Sequence, residues 1–157
     1  MKKDFSQEFE LTKLHVNIIV KDEISKKYLL LGSVVEYEEG FFSTLSLAIS
    51  PADQITKCLT EYLHKNNLAL SRYRELAREV NTSFSFVDDT PGSETIHICI
   101  LAEVNSMNFD KFSDNDTKPL MVDLYELLEK LSASPYSNTT TELGIAQLIY
   151  EDKVLNS

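Results

Sequence analysis

Apolar and polar residues alternate cleanly from Leu14 onward. Leu14, Val16, Ile18 and Val20 fall on one side, with His15, Asn17 and Lys21 on the other. That period of two predicts a strand. The polar turn KDEISKK leads to YLLLGSVVEY, apolar on both sides and so expected in the middle of a sheet. After Glu38-Glu39-Gly40 a third strand is expected in FFSTLSLAIS. Ser50-Pro51 then reads as a helix start, with serine at the N-cap and proline in the first turn. Ile55, Cys58, Leu59, Tyr62 and Leu63 form its apolar face, and Asn66-Asn67 interrupts it.

The next stretch, RYRELAREVN, has Tyr73, Leu76, Ala77 and Val80 at offsets 0, 3, 4 and 7. That spacing predicts a second helix over 68–80, with Arg74, Glu75, Arg78 and Glu79 on its opposite side. Glu75 and Glu79 would sit one turn apart, a repulsive spacing unless a cation lies between them. Beyond Asn81, TSFSFV and ETIHICILAEV read as a hairpin. In its second strand Ile96, Ile98, Ile100, Ala102 and Val104 face one way, and His97, Cys99, Leu101 and Glu103 the other. Residues 105–118 read as a polar loop, followed by a short strand at Leu120–Val122. Asp123 and Glu126 have capping-box spacing ahead of a stripe at Leu124, Leu127, Leu128 and Leu131. A last helix is expected from Thr139–Thr141, with Ile145, Leu148 and Ile149 inward.

Three strands, helices, a hairpin, a short strand and two helices predict an α/β (α+β) sandwich, with helices covering a mixed sheet. The expected organisation is a lead-in over 1–12, one globular domain over 13–151 and a tail over 152–157. At 157 residues, 43% apolar and 25% charged, the chain has the composition of a soluble globular protein. The net charge of -10 disfavours general nucleic-acid binding and suits a basic protein partner. The two cysteines, Cys58 and Cys99, are too few for a disulfide framework, and no apolar run is long enough to cross a bilayer. A cytoplasmic location is expected. His15 and His97 stand on strands that can be sheet neighbours, and His64 lies on the first helix.

The element order, with R-E-L-x-x-E after the third strand, resembles the Nudix hydrolase domain. Its signature is G-x5-E-x7-R-E-U-x-E-E-x-G-U, with U a bulky apolar residue. Anchored on Arg74 and Glu75, it places Leu76 on the apolar position and Glu79 on the second glutamate of the pair. Thr60, Asn66, Arg78 and Asn81 then depart from the first glycine, the first glutamate, the first glutamate of the pair and the final glycine.

The resemblance implies a Nudix-like α/β/α sandwich that binds or hydrolyses a nucleoside diphosphate linked to another moiety, including nucleotide sugars. It assigns Arg74, Glu75 and Glu79 to catalysis, with Glu75 and Glu79 as magnesium ligands. Arg78, standing where a glutamate is expected, is assigned to substrate binding and leaves the metal site impaired. Asp89, Glu94 or Glu103 would supply a further carboxylate. The alternative is a non-enzymatic acidic protein-binding module: an immunity protein, antitoxin or adaptor.

Overall fold

The computed structural model describes residues 9–33, 40–50, 53–83, 92–107, 117–135 and 138–155. In chain order its elements are β1 (Phe9–Asp22), β2 (Tyr28–Ser33), β3 (Phe42–Ser43), β4 (Leu45–Ile49), α1 (Ile55–Lys65), β5 (Leu68–Ser83), β6 (Gly92–Met107), β7 (Thr117–Val122), α2 (Leu124–Ser132) and α3 (Thr139–Leu155). β1 thus begins inside the expected lead-in, and α3 runs through most of the expected tail.

β1 and β6 run parallel, paired from Phe9 with Gly92 to Asp22 with Val104. On its other edge β1 is shared. Leu14 to Ile18 pair antiparallel with β4, and Lys21 pairs with Tyr28 of β2. β2 in turn takes β3 and β7, while β5 lies antiparallel along the free edge of β6. The result is one mixed sheet.

Alternation divides its core between two faces. Val16, Ile18 and Val20 of β1 and Ile98, Ile100, Ala102 and Val104 of β6 bury against Leu59 and Leu63 of α1. Ile19 of β1 with Cys99 and Leu101 of β6 bury against α2 and α3, through Leu124, Leu127, Leu131, Ile145 and Leu148. Both alternations expected from the sequence are found. Leu59, Leu63, Leu127 and Ile145 are fully buried, and truncating any one to alanine would cost about 2–5 kcal/mol.

The helix expected over 68–80 is a strand. Its apolar spacing arises from a β-bulge, not from helical turns. The register of β5 on β6 shifts between Glu75 and Ala77, so Leu76 and Ala77 both pack into the α2/α3 core. Tyr73 packs into the α1 core, and Val80 stands opposite Ile96 on that same face. A strand apolar on both faces with one inserted residue reproduces offsets 0, 3, 4 and 7. Leucine, alanine, arginine and glutamate favour helix locally, and pairing with β6 overrides that preference.

Side-chain caps mark the starts of α2 and α3. α1 starts at Ile55, later than the expected Ser50-Pro51 start; Pro51 itself lies outside the described residues. Asp123 caps α2 by accepting from the Glu126 amide at 2.8 Å, as its spacing predicts. Asn138 caps α3 by accepting from the Thr141 amide at 2.8 Å.

α3 approaches the sheet most closely at Gly144, where a Cβ would lie 2.4 Å from Cys99 Sγ and 3.1 Å from its Cβ. Alanine there gains about 1 kcal/mol of helix propensity, but the overlap outweighs it. Gly144→Ala is expected to lower the unfolding free energy by about 1–2 kcal/mol in urea denaturation. Adding Cys99→Ala should recover part of that loss. Unchanged stability of the single variant would contradict this packing.

Candidate functional site

One lateral row crosses the sheet near the carboxyl end of the β1–β6 pairing. Arg72 of β5 stands opposite Glu103 of β6, Glu103 opposite Lys21 of β1, and Lys21 opposite Tyr28 of β2. Arg72 Nε donates to Glu103, and the Lys21 ammonium lies 5.6 Å from the centroid of the Tyr28 ring. The row faces the α2/α3 layer. There the start of α2 and the end of α3 wall in a cavity of about 760 Å³. This size and place suit a small-molecule site, since open α/β sheets bind ligands beyond the carboxyl ends of their strands.

Four basic side chains line the cavity: Lys21, Lys26, Arg72 and Arg74. Four acidic side chains, Glu103, Asp123, Glu151 and Asp152, line it as well, so the cavity is formally neutral within a chain of net charge -10. Asp123, Leu124 and Tyr125 come from α2, and Leu148, Glu151, Asp152 and Leu155 from α3. Tyr125 and Leu155 are large and exposed at 53% and 82%, giving apolar surface that a ring can cover.

Arg74 and Glu151 form a two-pronged pair, with Nη1 to Oε1 at 2.9 Å and Nη2 to Oε2 at 2.5 Å. The guanidinium holds the Glu151 carboxyl below its usual range, and Glu151 in turn raises Arg74. Glu103 likewise raises Arg72. Burial, reinforced by Asp152 and Glu103, pushes the Tyr28 hydroxyl above its ordinary pKa, so it stays a hydrogen-bond donor at neutral pH.

Of the site residues expected from the sequence, only Arg74 lines this cavity. Glu75 faces the α1 side and accepts from Arg78 Nε at 3.0 Å and Nη2 at 2.6 Å. Glu79 faces the α3 side, where Thr140 donates to it at 3.1 Å. The two carboxylates expected one helical turn apart therefore lie on opposite faces of a sheet. They cannot chelate one magnesium ion, and the donor set does not fit that metal. Among the described residues, no group of three or more histidine, cysteine or acidic side chains is arranged to hold a metal.

Of the further carboxylates considered, Glu103 is in the cavity, Glu94 stands opposite Thr82, and Asp89 lies outside the described residues. His15 and His97 are sheet neighbours, as their strands predict, with rings stacked at 4.9 Å. Cys99 is buried, which raises its thiol to about 12 and leaves it unreactive.

The sequence pointed away from Lys21, Lys26, Tyr28, Arg72 and Glu151. A usable signal was present in the alternation, which sets both Lys21 and Glu103 opposite the continuous apolar stripes of their strands.

No protein-family model matches the chain, and no curated protein matches it by sequence. Solved structures do match. A Nudix hydrolase from Nitrosomonas europaea aligns over 89% of this chain and 90% of its own, with a TM-score of 0.56 and 10% identity. The chain has a Nudix-like fold. The Nudix domain of Shewanella oneidensis NrtR, solved with ADP ribose, covers 95% of this chain and 91% of its own, at a TM-score of 0.55 and 13% identity. A C. elegans Ap4A hydrolase covers 93% of this chain and all of its own, at a TM-score of 0.54 and 7% identity. At such identities the likeness is one of fold, and the Nudix-like sheet with helices on both faces is the one its strand order builds.

The Arg74–Glu151 pair has a signature in acid. Glu151 is lowered on folding, so its contribution is complete above the unfolded value near 4.5 and fades as pH falls through the folded value. Both partners are partly exposed, at 50% and 28%, which limits the effect to about 0.2–1 kcal/mol. Arg74→Met should lose that amount at pH 7 and match the parent once the carboxyl is protonated, in denaturant unfolding followed across pH. A deficit that persists in acid would assign Arg74 a packing role instead.

Proposed function

We propose that this Nudix-like protein binds a nucleoside diphosphate linked to another group in the cavity between β5 and the ends of α2 and α3. The observation that carries the reading is the gathering of Lys21, Lys26, Arg72 and Arg74 around one cavity in an otherwise acidic chain. Guanidinium forks match phosphate oxygens in pairs, and lysines add mobile point charges. Tyr125 and Leu155 at the rim offer a face for the base or the second group. The fold neighbours solved with ADP ribose and named for Ap4A hydrolysis make such ligands the first to try.

Efficient magnesium-dependent hydrolysis is not part of this reading. α1 is the helix that follows the first four strands, where the Nudix signature is expected. Asn67, just past its end, has φ of +62°, a conformation glycine adopts most readily. Setting the signature's last glycine on Asn67 puts Leu68 on the apolar position after it and Glu61 on the glutamate of R-E. Thr60 then replaces the arginine, and His64 and Lys65 replace the paired glutamates. One carboxylate beside a histidine and a lysine is a poor magnesium site. Glu75, Arg78 and Glu79 then stabilise β5 and do not act on substrate, whereas Arg74 contacts the phosphates.

Titration calorimetry with ADP-ribose, ADP and diadenosine tetraphosphate tests this. Saturable binding to at least one is expected, weakened tenfold or more, about 1.4 kcal/mol, by Arg72→Ala. Magnesium should add no turnover above the metal-free rate. Binding to none of the three, or brisk magnesium-dependent turnover abolished by Glu75→Gln or Glu79→Gln, would overturn the proposal.

A further inference from the structure

The two arginines of the cavity already hold carboxylates. Both prongs of Arg74 are occupied by Glu151, and Arg72 Nε by Glu103. Glu151 presents to Arg74 the same paired oxygens that a phosphate would, whereas Glu103 meets Arg72 through one oxygen. Glu151 differs from Glu103 in where it comes from. Glu103 is on the central strand β6, whereas Glu151 lies in the closing turns of α3, four residues from the helix's last residue. It also accepts from Gln147 Nε2 at 3.2 Å, one turn back on the same helix. Glu151 therefore has a second donor available when Arg74 lets go.

We infer that Glu151 is a resident competitor for the phosphate site: an incoming diphosphate takes Arg74, Glu151 stays with Gln147, and the last turn of α3 loses the Arg74–Glu151 tie to β5. This inference rests on the cavity being the nucleotide site. It makes Glu151 a determinant of specificity. A ligand has to offer more negative charge to Arg74 than one carboxylate does, which a diphosphate meets and an uncharged nucleoside does not. It also couples occupancy to the end of α3, where Val154 and Leu155 are exposed at 54% and 82%.

Calorimetry on Glu151→Gln is the direct test, with ADP and adenosine as the two probes. Removing the competitor's charge while keeping its shape should tighten ADP binding by about threefold, the scale of a partly exposed ion pair, and leave adenosine unchanged. An unchanged or weaker ADP affinity in the variant, with normal binding by the parent, overturns the competitor role alone. No ADP binding by the parent overturns the cavity assignment, and this inference with it. An independent readout on the unaltered protein is hydrogen exchange. ADP should accelerate exchange of the amides at 151–155 while slowing others around the cavity. Slower or unchanged exchange at 151–155 contradicts the release of α3.

Discussion

The parallel pairing of β1 with β6 is the constraint on which the rest depends. It runs along β1 to Asp22 and along β6 to Val104, and the middle of each strand is buried on both sides, so that neighbouring residues such as Ile18 and Ile19 are both at or below 1% exposure. A parallel pair buried in this way needs cover on each face, and α1 supplies one while α2 and α3 supply the other. Parallel strands also end at the same side of the sheet. The polar residues near the end of their pairing, Lys21 and Glu103, are therefore brought side by side. The cavity is a consequence of that shared end, roofed by the start of one helix and the finish of another.

The same burial explains why β5 can carry so much charge. It is the outermost strand on its side, and each of its faces has one helix behind it, so apolar and charged residues interleave. Arg72 and Arg74 point to the cavity, Glu75 and Arg78 pair on the α1 face, and Glu79 reaches α3 through Thr140. Charged side chains of both signs along an edge also discourage pairing with another chain. Most of the charge on β5 therefore serves the strand, and only its first part serves the cavity.

Much of the fold was legible because burial writes a simple period. The alternations of β1 and β6, the Asp123 cap of α2 and the break at Asn66-Asn67 were all visible in the residues and were found. β5 was not, because a bulge at Leu76-Ala77 and packing on both faces imitate a helical stripe, and the residues concerned favour helix. That one substitution of strand for helix moved the expected site. Spacing of four joins Glu75 and Glu79 on a helix, but on a bulged strand it sends them to opposite faces. The cavity residues come from β1, β2, β5, β6, α2 and α3, and only the register of the sheet and the packing of the helices bring such distant positions together.

The most direct measurement is the position of a bound nucleotide, for which a crystal structure of the protein grown with ADP-ribose is suited. The diphosphate is expected in the cavity, its oxygens within hydrogen-bond distance of Arg72 or Arg74, with the Arg74–Glu151 pair opened. A ligand seated instead against α1, with a metal ion on Glu61, or on Glu75 released from Arg78, would contradict it.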